Sequence, residues 1–129
     1  MLIIHTDGAS LGNPGPMGAG VAVYKDGKLV KEISEYLGNG TNNIAEYTAV
    51  IHALETAHEM DEKEVVIRSD SQLLVRQMNG EYKVRDPNLK KLRFRIQGLC
   101  VGIKVTFEHI PREENKIADK LSKKGAEKQ

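Results

Sequence analysis

Runs of β-branched and aliphatic residues open the chain, and they predict strands at residues 2–7, 18–25 and about 28–37. Asp26 and Gly27 separate the second run from the third. This dipeptide is typical of a tight hairpin turn, because glycine adopts positive φ without strain. The first third of the chain therefore predicts an antiparallel meander of three strands.

The pattern then changes from the period of a strand to the period of a helix. Apolar residues at helical spacing, preceded by good N-cap residues, predict a helix from about Thr41 to His58. A β-branched run predicts a fourth strand at 64–69, and a short helix at about 71–79 follows it. The helix-stop dipeptide Asn-Gly ends that helix.

The last third of the chain alternates helix, strand and helix. Asp86 followed by Pro87 predicts a helix start, because proline suits the first helical turn. Alternation predicts a fifth strand over 103–109 and a final helix over about 113–125. Three residues of that helix are expected to face inward: Ile117, Ala118 and Leu121. Helical crossovers require strands one, four and five to be parallel, so we expect an α/β fold with a mixed five-stranded sheet flanked by helices.

Composition is that of an ordinary globular domain. The chain has 129 residues, of which 40% are hydrophobic and 29% charged, and we expect one domain over residues 1–129. No apolar run approaches the length of a membrane span, so no membrane association is expected. The single cysteine, Cys100, excludes an internal disulfide and lies in an apolar context that predicts a buried thiol. A reducing cytoplasm is compatible with this cysteine usage.

Net charge is only +1, yet positive residues concentrate in one segment. Residues 83–95 contain six lysines and arginines and a single acid, Asp86. Such a cluster is able to contact phosphates, and it also suits an ordinary solvated helix face. Charge alone does not decide between the two interpretations.

Two carboxylates follow strands that are expected to be neighbours. Asp7 ends the first apolar run and Asp70 ends the fourth. Paired strands lie about 4.8 Å apart, so these two anions would converge, and a cation or a proton is then needed to hold them together. Ligands usually bind at the carboxyl ends of such strands. The pattern therefore predicts a metal site.

Two more carboxylates, Glu46 and Asp119, join them as candidates. Each of the four also has a structural interpretation. Asp7 suits a turn before glycine, Asp70 suits a helix cap, and Glu46 is spaced to form a capping box with Asn43. Asp119 is spaced to pair with Lys123 on the helix surface.

Five short motifs in order make a more specific pattern. They are Thr-Asp-Gly-Ala-Ser at 6–10, Gly-Asn-Pro-Gly at 12–15, Asn-Asn-Ile-Ala-Glu-Tyr at 42–47, Arg-Ser-Asp-Ser-Gln at 68–72 and Glu-Asn-Lys-Ile-Ala-Asp at 114–119. As a set they resemble a type 1 ribonuclease H, in a compact bacterial or archaeal form. The resemblance extends from about Leu2 to Gly125.

The resemblance implies a ribonuclease H-like sheet and an endonuclease that hydrolyses the RNA strand of RNA/DNA hybrids. It also implies 5′-phosphate and 3′-hydroxyl products and two Mg²⁺ ions, with Mn²⁺ as a substitute. Asp7, Glu46, Asp70 and Asp119 match the positions that hold those ions. Oxygen ligands suit such hard cations.

The resemblance further nominates residues that contact the nucleic acid. These are Gly12, Asn13, Thr41, Asn42, Asn43, Ser71 and Gln72. Neutral amides and hydroxyls are able to recognise the 2′-hydroxyl that distinguishes RNA from DNA. Gly12, Gly15 and Gly18 would let the backbone approach a phosphate, although plain turn geometry also explains them.

The chain departs from longer family members in two places. The short loop at 111–115 lacks their catalytic histidine. Arg112 in this loop is the candidate to assist, and His109 in the preceding strand is expected to be a structural residue. Their basic protrusion is also missing, and the basic segment 83–95 partly substitutes for it. We therefore expect weaker hybrid binding with a shallower salt dependence.

One alternative belongs to a different functional class. A non-catalytic module of the same fold would bind a hybrid or double-stranded RNA without cutting it. The presence of all four carboxylates favours the enzyme, which we expect to be a monomer.

Overall fold

The computed structural model describes residues 1–128, which fold around one five-stranded mixed sheet. The strands are β1 (Leu2–Ser10), β2 (Gly15–Lys25), β3 (Lys28–Gly40), β4 (Glu64–Ser69) and β5 (Lys104–His109). Their order across the sheet is β3-β2-β1-β4-β5. β1 pairs antiparallel with β2, and β2 with β3, whereas β4 is parallel to both β1 and β5. The predicted fold class is therefore confirmed.

Four α-helices flank the sheet. They are α1 (Asn42–Glu59), α2 (Gln72–Met78), α3 (Pro87–Leu99) and α4 (Lys116–Ala126). Asp86 caps α3 as predicted, because its Oδ1 accepts hydrogen bonds from the backbone N of Asn88 at 2.8 Å and of Leu89 at 3.1 Å. The final helix starts later than predicted, since a 3₁₀ turn occupies Arg112–Glu114. Over residues 1–128, none of the helices combines the length and apolar character needed to cross a lipid bilayer.

β1 extends three residues beyond its predicted end. Asp7 therefore lies inside the strand, where it pairs with Gly20 of β2, and the expectation that it ends the strand was wrong. The ladder between β1 and β4 does stop early, at the pair of His5 and Arg68. Beyond that pair the β1–β2 hairpin projects past β4. Asp7 lies in this projecting part, so no residue of β4 pairs with it. Its side towards Asp70, which directly follows β4, is therefore open.

Large apolar side chains fill the face of the sheet that packs against α1. The strands contribute the even-numbered residues of β1 and the residues that pair with them in β2 and β4. Helix α1 contributes the apolar residues that face the sheet. The buried set includes Leu2, Ile4, Val21, Val23, Tyr47, Val50, Leu54, Val65 and Ile67. Full burial of one such side chain contributes about 1.5–3 kcal/mol. This face is therefore the main hydrophobic core.

The opposite face packs against α4 through very small residues. A Cβ built on Gly18 would lie 2.1 Å from the carbonyl oxygen of Ser122, and one built on Gly20 would lie 2.1 Å from that of Ala118. Gly18 thus allows helix docking, so its predicted approach to a phosphate was wrong. The inward orientation predicted for Ile117 was also wrong, because 40% of this residue is exposed. The buried positions of α4 are Ala118, Ser122, Gly125 and Ala126.

The single cysteine lies between the core and the surface. Cys100 is partly exposed, so the prediction of a buried thiol holds only in part. Partial burial raises the pKa of its thiol. An unreactive side chain is consistent with that shift, because the thiolate is the nucleophilic form.

Candidate active site

A cleft of about 450 Å³ lies where β1 projects beyond β4. Five carboxylates line it, four of them from four separate elements and the fifth, Glu127, from the end of α4. Asp7 comes from β1, Glu46 from α1, Asp70 from the residue after β4, and Asp119 from α4. The structure therefore brings together the four residues that the sequence nominated.

Glycines on both faces of the sheet bring two of these carboxylates close to Asp7. On one face, a Cβ at Gly8 would lie 2.2 Å from the backbone N of Glu46. On the other, Gly20, which pairs with Asp7, leaves room for the residue that precedes Asp119. Side chains at these glycines would push the helices outward. Close backbone contact thus sets the separation of the carboxylates.

Burial and the crowding of like charges change the acidity of two groups. Burial, followed by the charge of Asp70, a hydrogen bond with Asp119 and the charges of Asp119 and Glu46, raises the pKa of Asp7 to about 8. Burial and the Asp70 charge raise the pKa of Glu46 to about 7, against the opposing effect of a hydrogen bond from Ser71. Without a cation, the cleft therefore retains protons near neutral pH.

The helix-cap interpretations of two carboxylates are excluded by the residues that do cap. Thr41 caps α1, with its hydroxyl 3.3 Å from the backbone N of Ile44, so Glu46 is not the partner in a capping box. Ser71 caps α2, with its hydroxyl 3.2 Å from the backbone N of Leu74. Asp70 therefore does not cap α2.

Asp119 makes the predicted surface pair and also faces the other three candidate carboxylates. Its Oδ2 lies 3.1 Å from Nζ of Lys123, which is the predicted surface pair, and its side chain also lines the cleft. Ser122, which no sequence motif indicates as a site residue, places its hydroxyl 3.2 Å from Oδ2 of Asp7. In the sequence, the only indication that Ser122 and Lys123 lie near the cleft is their spacing of three and four residues after Asp119 in a predicted helix.

The donor set of the cleft fits divalent cations. Among residues 1–128, five carboxyl groups and two cationic side chains line it, so acidic groups outnumber basic ones by three. All the anionic donors are oxygens, which Mg²⁺ and Mn²⁺ prefer. No group of three or more His, Cys, Asp or Glu side chains in the described chain is gathered tightly enough to form a ready-made cage. The four carboxylates nevertheless share one cleft, and their oxygens suit a divalent cation.

A second cleft, of about 390 Å³, is lined by most of the residues that the sequence nominates as substrate contacts. Asn13, Thr41, Asn42 and Asn43 line it together with the start of α3. Asn42 lines both clefts and so connects them. Of the remaining nominees, Ser71 contacts Glu46, whereas Gly12 and Gln72 line neither cleft in the described structure.

The two candidates for the missing histidine occupy different environments. Arg112 lines the carboxylate cleft, as expected of a residue that assists there. His109 is the exposed last residue of β5, and the cleft lining in the described chain does not include it. The geometry therefore favours Arg112 over His109 as a neighbour of the carboxylates.

Comparison with known proteins identifies the family. A family model described as "Reverse transcriptase-like" matches residues 5–125. Ribonuclease H of Syntrophus aciditrophicus is 35% identical, over 97% of this chain and 80% of that protein. The crystal structure of LC11-RNase H1 in complex with RNA/DNA hybrid matches with a TM-score of 0.94 at 42% identity, over 99% of this chain and 98% of that one. This chain belongs to the type 1 ribonuclease H family.

Another member of the ribonuclease H family differs from this chain in length. Ribonuclease HI of Halobacterium salinarum is 42% identical over 120 residues, which are 92% of this chain and 60% of that protein. The chain thus spans less than two thirds of that relative. The resemblance seen in the five sequence motifs is confirmed at the level of family and fold.

Proposed function

We propose that this chain is a metal-dependent endonuclease that hydrolyses the RNA strand of RNA/DNA hybrids and leaves 5′-phosphate and 3′-hydroxyl ends. The observation that carries the proposal is the convergence of Asp7, Glu46, Asp70 and Asp119 on one cleft of a ribonuclease H fold. Support also comes from LC11-RNase H1, whose structure contains an RNA/DNA hybrid.

We assign two Mg²⁺ ions, with Mn²⁺ as a substitute, to these four carboxylates. Bound there, such cations supply the Lewis acidity that favours attack of water on a phosphodiester and stabilises the leaving oxygen in an in-line displacement. The raised pKa values of Asp7 and Glu46 fit this assignment, because burial and neighbouring carboxylates disfavour their ionised forms, which a bound cation would stabilise.

Two cationic side chains complete the chemistry of the carboxylate cleft. Arg112 lines it from the turn before α4, where a guanidinium is suited to hold a phosphate oxygen. Lys123 lines it from α4 and balances part of the charge of Asp119. In this proposal Arg112 assists at the phosphate or during product release.

The adjoining cleft is suited to recognise the RNA strand. The backbone N of Ser10 donates to Oδ1 of Asn42 at 2.8 Å, and the backbone N of Asn42 donates to Oδ1 of Asn13 at 3.2 Å. Both amide oxygens are therefore engaged within the protein, which leaves the two NH₂ groups as donors. Such donors match the 2′-hydroxyl and minor-groove acceptors of an RNA strand.

The proposal extends to the state and location of the protein. We assign a monomer in the cytoplasm, where a single unpaired cysteine stays reduced. Gel filtration of the purified chain, alone and with hybrid, tests the monomer.

A cleavage assay tests the proposed activity. Hybrid, double-stranded DNA, double-stranded RNA and single-stranded RNA of one sequence, each end-labelled, are incubated with Mg²⁺, with Mn²⁺ or with a chelator. We expect cleavage of the RNA strand of the hybrid that depends on the metal ion, with 5′-phosphate products. Hybrid binding without cleavage in either metal would instead identify a non-catalytic binding module.

A further inference from the structure

We propose that Ser122 is a positioning residue that holds the carboxylate of Asp7 for divalent-cation binding. This inference rests on the proposed function, and it concerns a residue that the sequence motifs do not nominate. Ser122 lies on α4, three residues after Asp119. Its side chain is fully buried, so it acts on the cleft through Asp7 and not by touching a substrate.

The hydroxyl of Ser122 has two acceptors within reach. It lies 3.2 Å from Oδ2 of Asp7 and 2.8 Å from the backbone carbonyl oxygen of Asp119. A serine hydroxyl has one proton, so a strong bond forms with one acceptor at a time. The bond to Asp7 is charge-assisted whenever that carboxylate is ionised, and such bonds are stronger than neutral ones.

Backbone packing fixes the hydroxyl at this distance. A Cβ on Gly20 would lie 2.5 Å from the backbone N of Ser122, and one on Gly18 would lie 2.1 Å from its carbonyl oxygen. Gly20 is the β2 residue that pairs with Asp7 of β1. The backbones of Ser122 and Asp7 are thus held on either side of Gly20, which keeps the hydroxyl within reach of the carboxylate.

Asp7 is the carboxylate that most needs such a partner. Three other acids, Asp70, Asp119 and Glu46, surround it and repel its charge. The terminal torsion of an aspartate is broad, so the carboxylate rotates unless something holds it. A neutral hydroxyl holds Oδ2 without adding a positive charge that would compete with a metal ion. Hydrogen bonds of this kind commonly orient carboxylates that bind metals.

The test is the variant Ser122→Ala, which removes the hydroxyl and keeps a good helix former. Calorimetric titration of the hybrid-free protein with MnCl₂ measures the dissociation constant of the ion. We expect it to rise about tenfold, as is usual when a hydrogen-bond partner of a metal ligand is lost. In hybrid cleavage, kcat at low Mg²⁺ should fall and recover as Mg²⁺ is raised, while KM for the hybrid stays unchanged.

Ser34→Ala is the matched control, because Ser34 also donates to α4. Its hydroxyl lies 2.7 Å from the carbonyl oxygen of Leu121, and that contact involves no carboxylate. We expect both variants to lose a similar amount of thermal stability, and only Ser122→Ala to lose affinity for Mn²⁺. Ser122→Thr restores a hydroxyl and should recover part of that affinity.

Equal Mn²⁺ affinity in Ser122→Ala, Ser34→Ala and the unmodified chain would overturn the inference, and would assign the hydroxyl to the Asp119 carbonyl alone. The outcome is separable from failure of the proposed function. If the unmodified chain binds Mn²⁺ and cuts no hybrid, the proposed activity fails, while the calorimetric comparison still decides the role of Ser122.

Discussion

The two faces of the sheet pack against their helices in contrasting ways. The face under α1 is filled by large side chains such as Ile4, Val21 and Leu54, all fully buried. The face under α4 is built from Gly18, Gly20 and small residues of the helix, with backbone atoms in direct contact. Large side chains bury much apolar surface, whereas small ones bury little and let the backbones of helix and strand approach closely.

Stability and site geometry therefore come from separate parts of the molecule. The α1 face supplies most of the hydrophobic stabilisation. The α4 face contributes less buried area, yet it fixes how far Asp119 and Ser122 lie from Asp7. Substitutions on the first face should change the free energy of unfolding, and substitutions on the second should change catalysis as well.

The largest effect is expected from a change in the cleft itself. Asp7→Asn keeps the shape of the side chain and removes its charge, so cations are held poorly. We expect hybrid cleavage to fall at least about a thousandfold, which is about 4 kcal/mol of transition-state stabilisation. Single-turnover cleavage measures the rate, and fluorescence anisotropy should show that the hybrid is still bound. Cleavage within tenfold of the unmodified chain would refute the assignment.

The next effect comes from the α1 face. Leu54→Ala leaves a cavity in the main core, and we expect the free energy of unfolding to fall by about 2–5 kcal/mol. Denaturant unfolding measures that loss. Cleavage per folded molecule, assayed well below the unfolding midpoint, should be unchanged because Leu54 lines neither cleft. A large loss of kcat would show that the two faces are not independent.

On the α4 face, Gly20→Ala forces the helix away from the sheet. Overpacking of this kind costs about 1–3 kcal/mol, and here it also displaces Asp119. We expect kcat to fall at least about tenfold while the fold is retained. Gly98→Ala in α3 is the control, because its Cβ meets nothing within 4 Å. That variant should gain up to about 1 kcal/mol of stability and keep its activity.

The pH dependence of the metal-free chain should reveal the crowded carboxylates. The pKa of Asp7 is raised to about 8 and that of Glu46 to about 7, above their values in an unfolded chain. The folded state therefore holds protons that the unfolded state releases, and stability from these groups declines as pH rises from about 4 to 8. We expect a loss of about 1–2 kcal/mol between pH 5.5 and 8 relative to Asp7→Asn.

Mg²⁺ should reverse that loss, because bound cations replace the protons. Thermal unfolding with and without Mg²⁺ tests this, and stabilisation by the ion should be greater at pH 8 than at pH 5.5. Identical pH profiles for the unmodified chain and Asp7→Asn would contradict the electrostatic account of the cleft.

The smallest effect concerns the basic segment on α3. Lys90 and Lys91 are exposed, whereas Arg95 is already paired with Glu55 at 2.9 Å. If the segment contacts hybrid phosphates, the double change of both lysines to alanine should reduce the salt slope of hybrid binding by about 2. Arg95→Ala should change the slope less. An unaltered slope in the double variant would identify these lysines as a solvated helix face.

Local pattern was sufficient to predict most of the fold. Alternating apolar runs, the Asp26-Gly27 turn and the cap at Asp86 are signals contained within a few neighbouring residues. The convergence of Asp7 with Asp70 followed from strand parallelism alone. The turn and the cap were predictable because each depends on short-range backbone chemistry, and the convergence was predictable because parallel neighbouring strands end at the same edge of a sheet.

Contacts between distant segments were not predictable in the same way. Gly18 was interpreted as a glycine for phosphate approach or turn geometry, because its partner, α4, lies about a hundred residues away in sequence. Ile117 was expected to face inward on hydrophobicity, whereas the close approach of α4 selects small residues such as Ala118 instead. The proposed role of Ser122 was not predictable either, because it requires the close packing of α4 on the sheet. A buried hydroxyl beside Asp7 has no local signature in the sequence.

The position of the bound metal ions decides whether the four carboxylates form the metal site. Crystals of the Asp70→Asn variant with an RNA/DNA hybrid and Mn²⁺ allow the ions to be located by anomalous scattering. We predict Mn²⁺ beside the RNA strand, bound by the carboxylate oxygens of Asp7 together with those of Glu46 or Asp119. Hybrid bound elsewhere, or Mn²⁺ found away from these three side chains, would contradict the account.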